Sequence, residues 1–323
     1  MRTDAKSPLN GSFTLWSAFF LASLSVAPGW AQETPANMPI ADLHFHAEAH
    51  RPPESFVAMF DKAGVRWAGS GERVGGANVM QTYKDYFGDR YIEFGGQSFY
   101  ANLFDQLGAE QVNSPAILEH PQFKAVYNRI DRAMASKRMV GIGELFANNR
   151  NSHPNAKRGI KLRLDGPALR SLFELAAKHE AFLTFHMEGD TDSIAQLETL
   201  AASNRKGRII LNHCGVNAPA ATIDRLLSAH PNLFCEISSR YDPMIPGVLG
   251  RSVEMFDRFS IRSAWKDVFV KHPDRFMIGT DASDDGAYGR AINTVRFGLL
   301  ANLPPEVAQA FAYGNATRLF NLK

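Results

Sequence analysis

Two histidines one residue apart open the chemistry of this chain: Asp42-Leu43-His44-Phe45-His46, at the head of an apolar run of strand length. Successive side chains of a strand point to opposite faces, so residues two apart share one face and bring their imidazoles together. One strand can thereby offer two nitrogen ligands to one metal ion. A lone His-x-His is weak evidence, because such pairs are often only hydrogen-bonded strand residues. Four further runs strengthen it, since Gly143-Glu144, Phe185-His186, Asn212-His213 and Thr280-Asp281 each set a ligand-type residue at the end of a short apolar stretch. Imidazole and carboxylate oxygen suit zinc and other first-row divalent ions. Four imidazoles and two carboxylates suffice for one ion, or for two bridged by Glu144. Metal binding lowers the pKa of water from about 15.7 to roughly 7, which supplies hydroxide at neutral pH.

Residues this far apart in sequence meet only if the elements carrying them converge. Eight runs read as strands: 41–46, 65–69, 91–95, 140–145, 182–186, 209–213, 233–238 and 276–281. Between them lie stretches with apolar residues at helical spacing, at 55–63, 79–87, 123–135, 169–177, 194–202, 223–227, 253–270 and 291–300. Strict alternation implies parallel strands joined by crossover helices. Eight such units close into a (β/α)8 TIM barrel, an α/β fold in which every strand ends at the same rim and places its terminal residue there. The connections 96–120 and 147–165 are long enough to wall the site. Three helices of the second half close on Lys178-His179, His230-Pro231 and His272-Pro273, where a basic group suits the helix C-terminus and proline stops the helix. These histidines, with His120 and His153, read as structural, whereas His44, His46, His186 and His213 end strands.

Length of 323 residues fits a single barrel domain. Charge is near balance, 35 basic against 33 acidic residues, and no concentrated basic patch recommends a nucleic-acid or anionic-membrane partner. A small-molecule substrate fits better; oligomeric state is not legible. Arg2 and Lys6, an apolar stretch from about Phe13 to Val26, and small residues Gly29 and Ala31 before Gln32 have the layout of a secretory signal peptide. Residues 1–31 are therefore expected to be removed on export to a periplasmic or extracellular space, leaving a mature domain over 32–323 without a membrane span. The two cysteines, Cys214 and Cys235, fall in apolar runs; a disulfide and two buried thiols are equally compatible with the sequence.

The motifs Asp42-Leu43-His44-Phe45-His46, Gly141-Ile142-Gly143-Glu144, Thr184-Phe185-His186, Leu211-Asn212-His213-Cys214-Gly215, Gly279-Thr280-Asp281 and Gly314-Asn315-Ala316-Thr317-Arg318-Leu319-Phe320 resemble the amidohydrolase superfamily, most closely its amidohydrolase-related branch. The resemblance implies a (β/α)8 barrel with His44 and His46 as ligands, His186 and His213 as ligands or near-ligands, and Asp281 as ligand and proton acceptor. Gly-Ile-Gly-Glu looks like the TatD-type hydrolases, in which such a glutamate binds metal. In members resembling the aminocarboxymuconate-semialdehyde decarboxylases one metal is held and the strand-six histidine, here His213, acts on substrate. The expectation is a metal-dependent hydrolase of amides, esters or lactones, with a single-metal decarboxylase or a non-catalytic binding barrel as alternatives. Arg240 after strand seven and Arg73 after strand two are candidates to hold a substrate carboxylate or phosphate.

Overall fold

The computed structural model describes residues 33–46, 51–70, 77–135, 137, 139–152, 159–240, 255–257, 260–282 and 284–323. The segment expected to be a signal peptide lies outside them. Residues from Thr34 to Lys323 form one compact unit. Its strands are β1 (Ile40–Asp42), β2 (Val65–Ser70), β3 (Tyr91–Gly95), β4 (Gly141–Asn148), β5 (Phe182–Met187), β6 (Arg208–Asn212), β7 (Leu233–Glu236), a short antiparallel pair β8 (Phe256–Asp257) and β9 (Ser260–Ile261), and β10 (Phe276–Met277). Seven strands pair in chain order and β10 pairs with β7, all parallel. Bridges from Asp42 to Ile278 and from Phe45 to Ala282 bring the last strand back to the first. The architecture is the eight-stranded (β/α)8 barrel that strand and helix alternation implies.

Helices α1 (Pro53–Ala63), α2 (Ala77–Phe87), α3 (Gln97–Asn113), α4 (Pro121–Ala135), α5 (Pro167–Lys178), α6 (Thr191–Ser203), α7 (Ala220–Ala229), α8 (Ser263–Lys271) and α9 (Asp285–Asn293) make the outer layer. Their apolar faces bury the outward residues of the strands. Phe45, for example, packs against Phe56, Phe60, Tyr83 and Phe87 with ring centroids 5.1–6.2 Å apart. A separate cluster fills the barrel interior with Ala41, Leu43, Trp67, Ile92, Phe94, Phe182, Ile210, Phe234 and Met277. The terminal helices α10 (Pro305–Gln309) and α11 (Asn315–Phe320) follow. Helix α11 packs at the start of the strands: Phe320 lies against Phe94 and Phe182, and Asn315 donates to the carbonyls of Pro273 and Phe276. Among the described residues no helix is long and apolar enough to cross a membrane.

Two stretches differ from the sequence-based expectation. The connection 96–120 is mostly helical, as α3 followed by a 3-10 turn at Pro115–Glu119. Its apolar period is broken at Gly108, whose φ of 74° interrupts the helix and shifts the phase of the residues beyond. The expected helix 253–270 is helical only from Ser263. Before it, Phe256 pairs with Ile261, and Arg262 N donates to Met255 O, which uses backbone groups that a helix needs for itself.

Candidate functional site

Except for His186, which lies within β5, the ligand-type residues reach the rim by local departures from regular strand. On β1 the ladder ends at Asp42, not His46. The Asp42 carboxylate accepts from the backbone N–H of His44 two residues on, at 3.0 Å, and from Thr280 N and Oγ1. This Asx-type turn breaks the alternation, so Leu43 and His44 both face inward before Phe45 turns out again. Asp42 is itself fully buried; burial raises its pKa, against hydrogen bonds from Tyr288, His44 and Thr280. On β4, Gly143 has φ 136° and a Cβ there would strike the Thr184 carbonyl, so only glycine lets the strand bulge and aim Glu144 at the axis. His213 and Asp281 have φ of 55° and 56°. At His213, directly after β6, and at Asp281, four residues beyond β10, this left-handed backbone carries a cost of about 1–3 kcal/mol.

The six residues meet. His46 Nε2 lies 2.6 Å from Asp281 Oδ1, and His44 Nε2 lies 3.6 Å from the same oxygen and 3.4 Å from Glu144 Oε2. The other oxygen of Glu144 faces the second pair, 3.0 Å from His213 Nε2 and 3.4 Å from His186 Nδ1. Glu144 thus stands between two ligand groups, His44 with His46 and His186 with His213. His44 Nε2 is buried and, among the described residues, has no hydrogen-bond partner. An orphaned imidazole nitrogen 3.4–3.6 Å from two carboxylate oxygens fits a cation, since neighbouring donors at about 2.1 Å from one tetrahedral ion stand about 3.4 Å apart. Burial opposes charge on Glu144, Asp281, His44 and His213, yet mutual attraction prevails at these four. Glu144 is held well below the usual carboxylate range by His44, His186 and His213, and Asp281 is held below it by His46, His44 and His213. His44 is lifted well above the usual imidazole value by Glu144, Glu236 and Asp281, and His213 is lifted by Glu144 and Asp281. His186 is lowered, by burial and by the neighbouring His213.

Several partners of this cluster escape a reading by strand ends. Glu236, inside the seventh apolar run, touches His44 Nδ1 at 3.0 Å. Glu188, in the connection after β5, is buried and accepts from Asn151 N and Nδ2, Ser152 N and Ser152 Oγ. Ser152 Oγ also lies 2.8 Å from His186 Nε2. Because the Ser152 proton goes to the Glu188 carboxylate, His186 donates from Nε2 and presents Nδ1 to Glu144. Ser239 Oγ donates to Asp281 Oδ2, which leaves Oδ1 toward the histidines. A carboxylate within an apolar run was the visible signal for Glu236; the serines gave none. Below the ligands a cavity of about 10 Å³, room for one water centre, is bounded by Leu43, Thr184, Ile210, Asn212 and Glu236 among others.

Arg240 is not a rim residue. It is 2% exposed, its guanidinium donates to the carbonyls of Cys214 and Ala218, and it lies over the Trp265 ring. Its role is to hold the turn after β6, because that turn leaves carbonyls without strand partners. Arg73 lies outside the described residues. Cys214 and Cys235 form a disulfide that joins the turn after His213 to β7. His179 and His272 close their helices by pairing with Asp131 and Asp224 of the neighbouring helices, as a structural reading of these histidines requires. Of the other loop charges, Asp190 and Asp284 cap α6 and α9, and Lys161 pairs with Asp190.

A search of curated proteins by sequence gives no match. Solved structures with the same fold include a probable 2-pyrone-4,6-dicarboxylic acid hydrolase from Acinetobacter baumannii with citric acid bound (12% identity, 88% of this chain and 99% of that one, TM-score 0.53). Also similar are an amidohydrolase from Burkholderia multivorans with bound zinc (12%, 88% and 99%, TM-score 0.54) and 2,6-dihydroxybenzoate decarboxylase from Rhizobium (12%, 88% and 99%, TM-score 0.53). At such identity these likenesses bear on fold alone. The amidohydrolase family model matches residues 99–322, which carry Glu144, His186, His213 and Asp281. The chain belongs to the amidohydrolase family.

Proposed function

We propose that this protein is a hydrolase that uses one or two divalent cations, most suitably zinc, on a small carbonyl substrate such as an ester, lactone or amide. The observation that carries this reading is Glu144, with one oxygen toward His44 and the other toward His186 and His213. A carboxylate so placed suits a bridge between two ions. When bound, the cation supplies an acidified water and a positive charge against the substrate oxygen. His44, His46 and Asp281 would hold a cation on one side of Glu144, and His186 and His213 on the other, with Glu144 available to both. Asp281 is the proton acceptor: its Oδ2 is held by Ser239, so Oδ1 stays aimed into the cluster and can pass the proton to the leaving group. Arg73 remains the candidate for a substrate carboxylate. The composition of residues 1–31 supports export, and a disulfide suits an oxidising compartment.

The test is a panel of esters, lactones and amides assayed with metal-free and zinc-reconstituted protein, alongside metal analysis. Expected are chelator-sensitive turnover, about two ions per chain, and loss of about 10²–10⁴-fold in Asp281→Ala with the barrel's circular dichroism retained. Turnover that survives chelation and both His44→Ala and Asp281→Ala would count decisively against the proposal. One ion per chain would leave hydrolysis and single-metal decarboxylation both open, and product analysis would then separate them.

A further inference from the structure

Glu236 stands on the Nδ1 edge of His44, opposite the Nε2 that faces Glu144. Its Oε2 lies 3.0 Å from His44 Nδ1 and 2.9 Å from Ser238 Oγ, and Oε1 accepts from Ser238 N. Ser238 Oγ is in turn 2.8 Å from His213 Nδ1. The hydroxyl has one proton, and the acceptor-only carboxylate takes it. Ser238 Oγ must therefore accept from His213 Nδ1, and the Ser238 carbonyl, which can only accept, lies 3.3 Å from the same nitrogen. Both imidazoles carry a proton on Nδ1 and turn Nε2 inward, His44 to Glu144 Oε2 and His213 to Glu144 Oε1. Asn212 Nδ2 lies 3.1 Å from His44 Nδ1 and 3.4 Å from Glu236 Oε2. With Nδ1 protonated, its hydrogen belongs to the carboxylate. The opposing strand leaves space for this group: a Cβ at Gly279 would fall on the Glu236 carboxylate and 2.8 Å from His44 Cβ.

We infer that Glu236 is a positioning residue of the metal centre. One buried carboxylate fixes His44 directly and His213 through Ser238 Oγ, so it orients one ligand on each side of Glu144 and couples the two halves. The inference rests on the metal-dependent reading above. Outer carboxylates of this kind fix the ring tautomer, and their loss typically weakens metal affinity 10–100-fold.

The experiment compares wild type with Glu236→Gln, Glu236→Leu and Ser238→Ala. Co²⁺ affinity is read by chelator competition, the His44 Nδ1–H proton by NMR of ¹⁵N-histidine-labelled metal-free protein, and folding by thermal unfolding without metal. Expected for Glu236→Leu are a 10–100-fold loss of Co²⁺ affinity for both ions and loss of the protected Nδ1–H signal. Glu236→Gln should fall between, because its amide oxygen still accepts; should the leucine variant not fold, this variant decides. Ser238→Ala should keep the His44 signal, because Glu236 remains on Nδ1, and should weaken Co²⁺ binding less than Glu236→Leu, its Oγ lying 2.8 Å from His213 Nδ1 and 3.2 Å from His44 Nδ1. Unchanged Co²⁺ affinity with an unmoved Nδ1–H resonance in the glutamine and leucine variants overturns the inference. A wild type that takes up no Co²⁺ refutes the metal-dependent reading, and the Nδ1–H signal then decides alone: its persistence in the leucine variant overturns the role of Glu236.

Discussion

Replacing both Cys214 and Cys235 by alanine should destabilise this protein by an amount that follows from its topology. The disulfide spans 21 residues, from the turn after β6 to the middle of β7. Closing a loop of that length removes about 11 cal/mol/K of entropy from the unfolded chain, equivalent to about 3 kcal/mol at 25 °C. The folded unit has roughly 290 residues, so its unfolding entropy is roughly 0.6 kcal/mol/K and the expected fall in Tm is about 5 °C. Both cysteines are fully buried, which makes substitution a cleaner perturbation than reductant. The assay is differential scanning calorimetry of wild type and the double variant in non-reducing buffer, with thiol titration of both in denaturant. Because Cys214 follows His213 and Cys235 precedes Glu236, zinc affinity should weaken as well, through loosened placement of both. A double variant melting within about 1 °C of wild type, or a wild type with both thiols free when denatured, would refute this reasoning.

Other consequences of the structure can be checked as directly. Gly279→Ala should cost about 1–3 kcal/mol, since the added methyl meets the Glu236 carboxylate against a strand that cannot retreat; an unshifted urea midpoint would count against that packing. Phe45→Ala, which empties a pocket walled by Phe56, Phe60, Tyr83 and Phe87, should cost about 3–5 kcal/mol in the same measurement. Zinc uptake at pH 7 should release at least about one proton, because at His44 burial is outweighed by neighbouring carboxylates that lift it well above the usual imidazole value; calorimetry in buffers of different ionisation enthalpy measures it, and no release would be the contrary result. Asp131 is held below the usual carboxylate range by His179 and Lys178, and Asp224 by Lys271 and His272. A depressed folded pKa stabilises above the unfolded value near 3.9 and ceases to do so as pH falls through the folded one. These pairs are partly solvent-screened, so Asp131→Asn with Asp224→Asn should cost only about 0.2–1 kcal/mol per site at pH 6. The difference from wild type should shrink below about pH 3.9, and a gap constant with pH would contradict the pairing.

The sequence by itself determined the class of fold and the six side chains that gather at the rim, because both are written in local patterns. Apolar runs alternating with helical periodicity require parallel strands, and a parallel closed sheet must deliver His44, His46, Glu144, His186, His213 and Asp281 to one rim. The function of Cys214 and Cys235 stayed open because pairing depends on the spacing of two adjacent strands, which no local pattern records. Arg240 was misplaced for a related reason: a charge after a strand looks like a rim residue until the turn carbonyls and the Trp265 face that absorb it are known. Glu188 and Glu236 likewise have partners brought from elsewhere, Ser152 and His44, and loop or strand position gives no hint of that. Only the tertiary structure decided which nitrogen each histidine turns inward. A ring's tautomer is set by whatever stands on its far side, and in a barrel that neighbour comes from another strand.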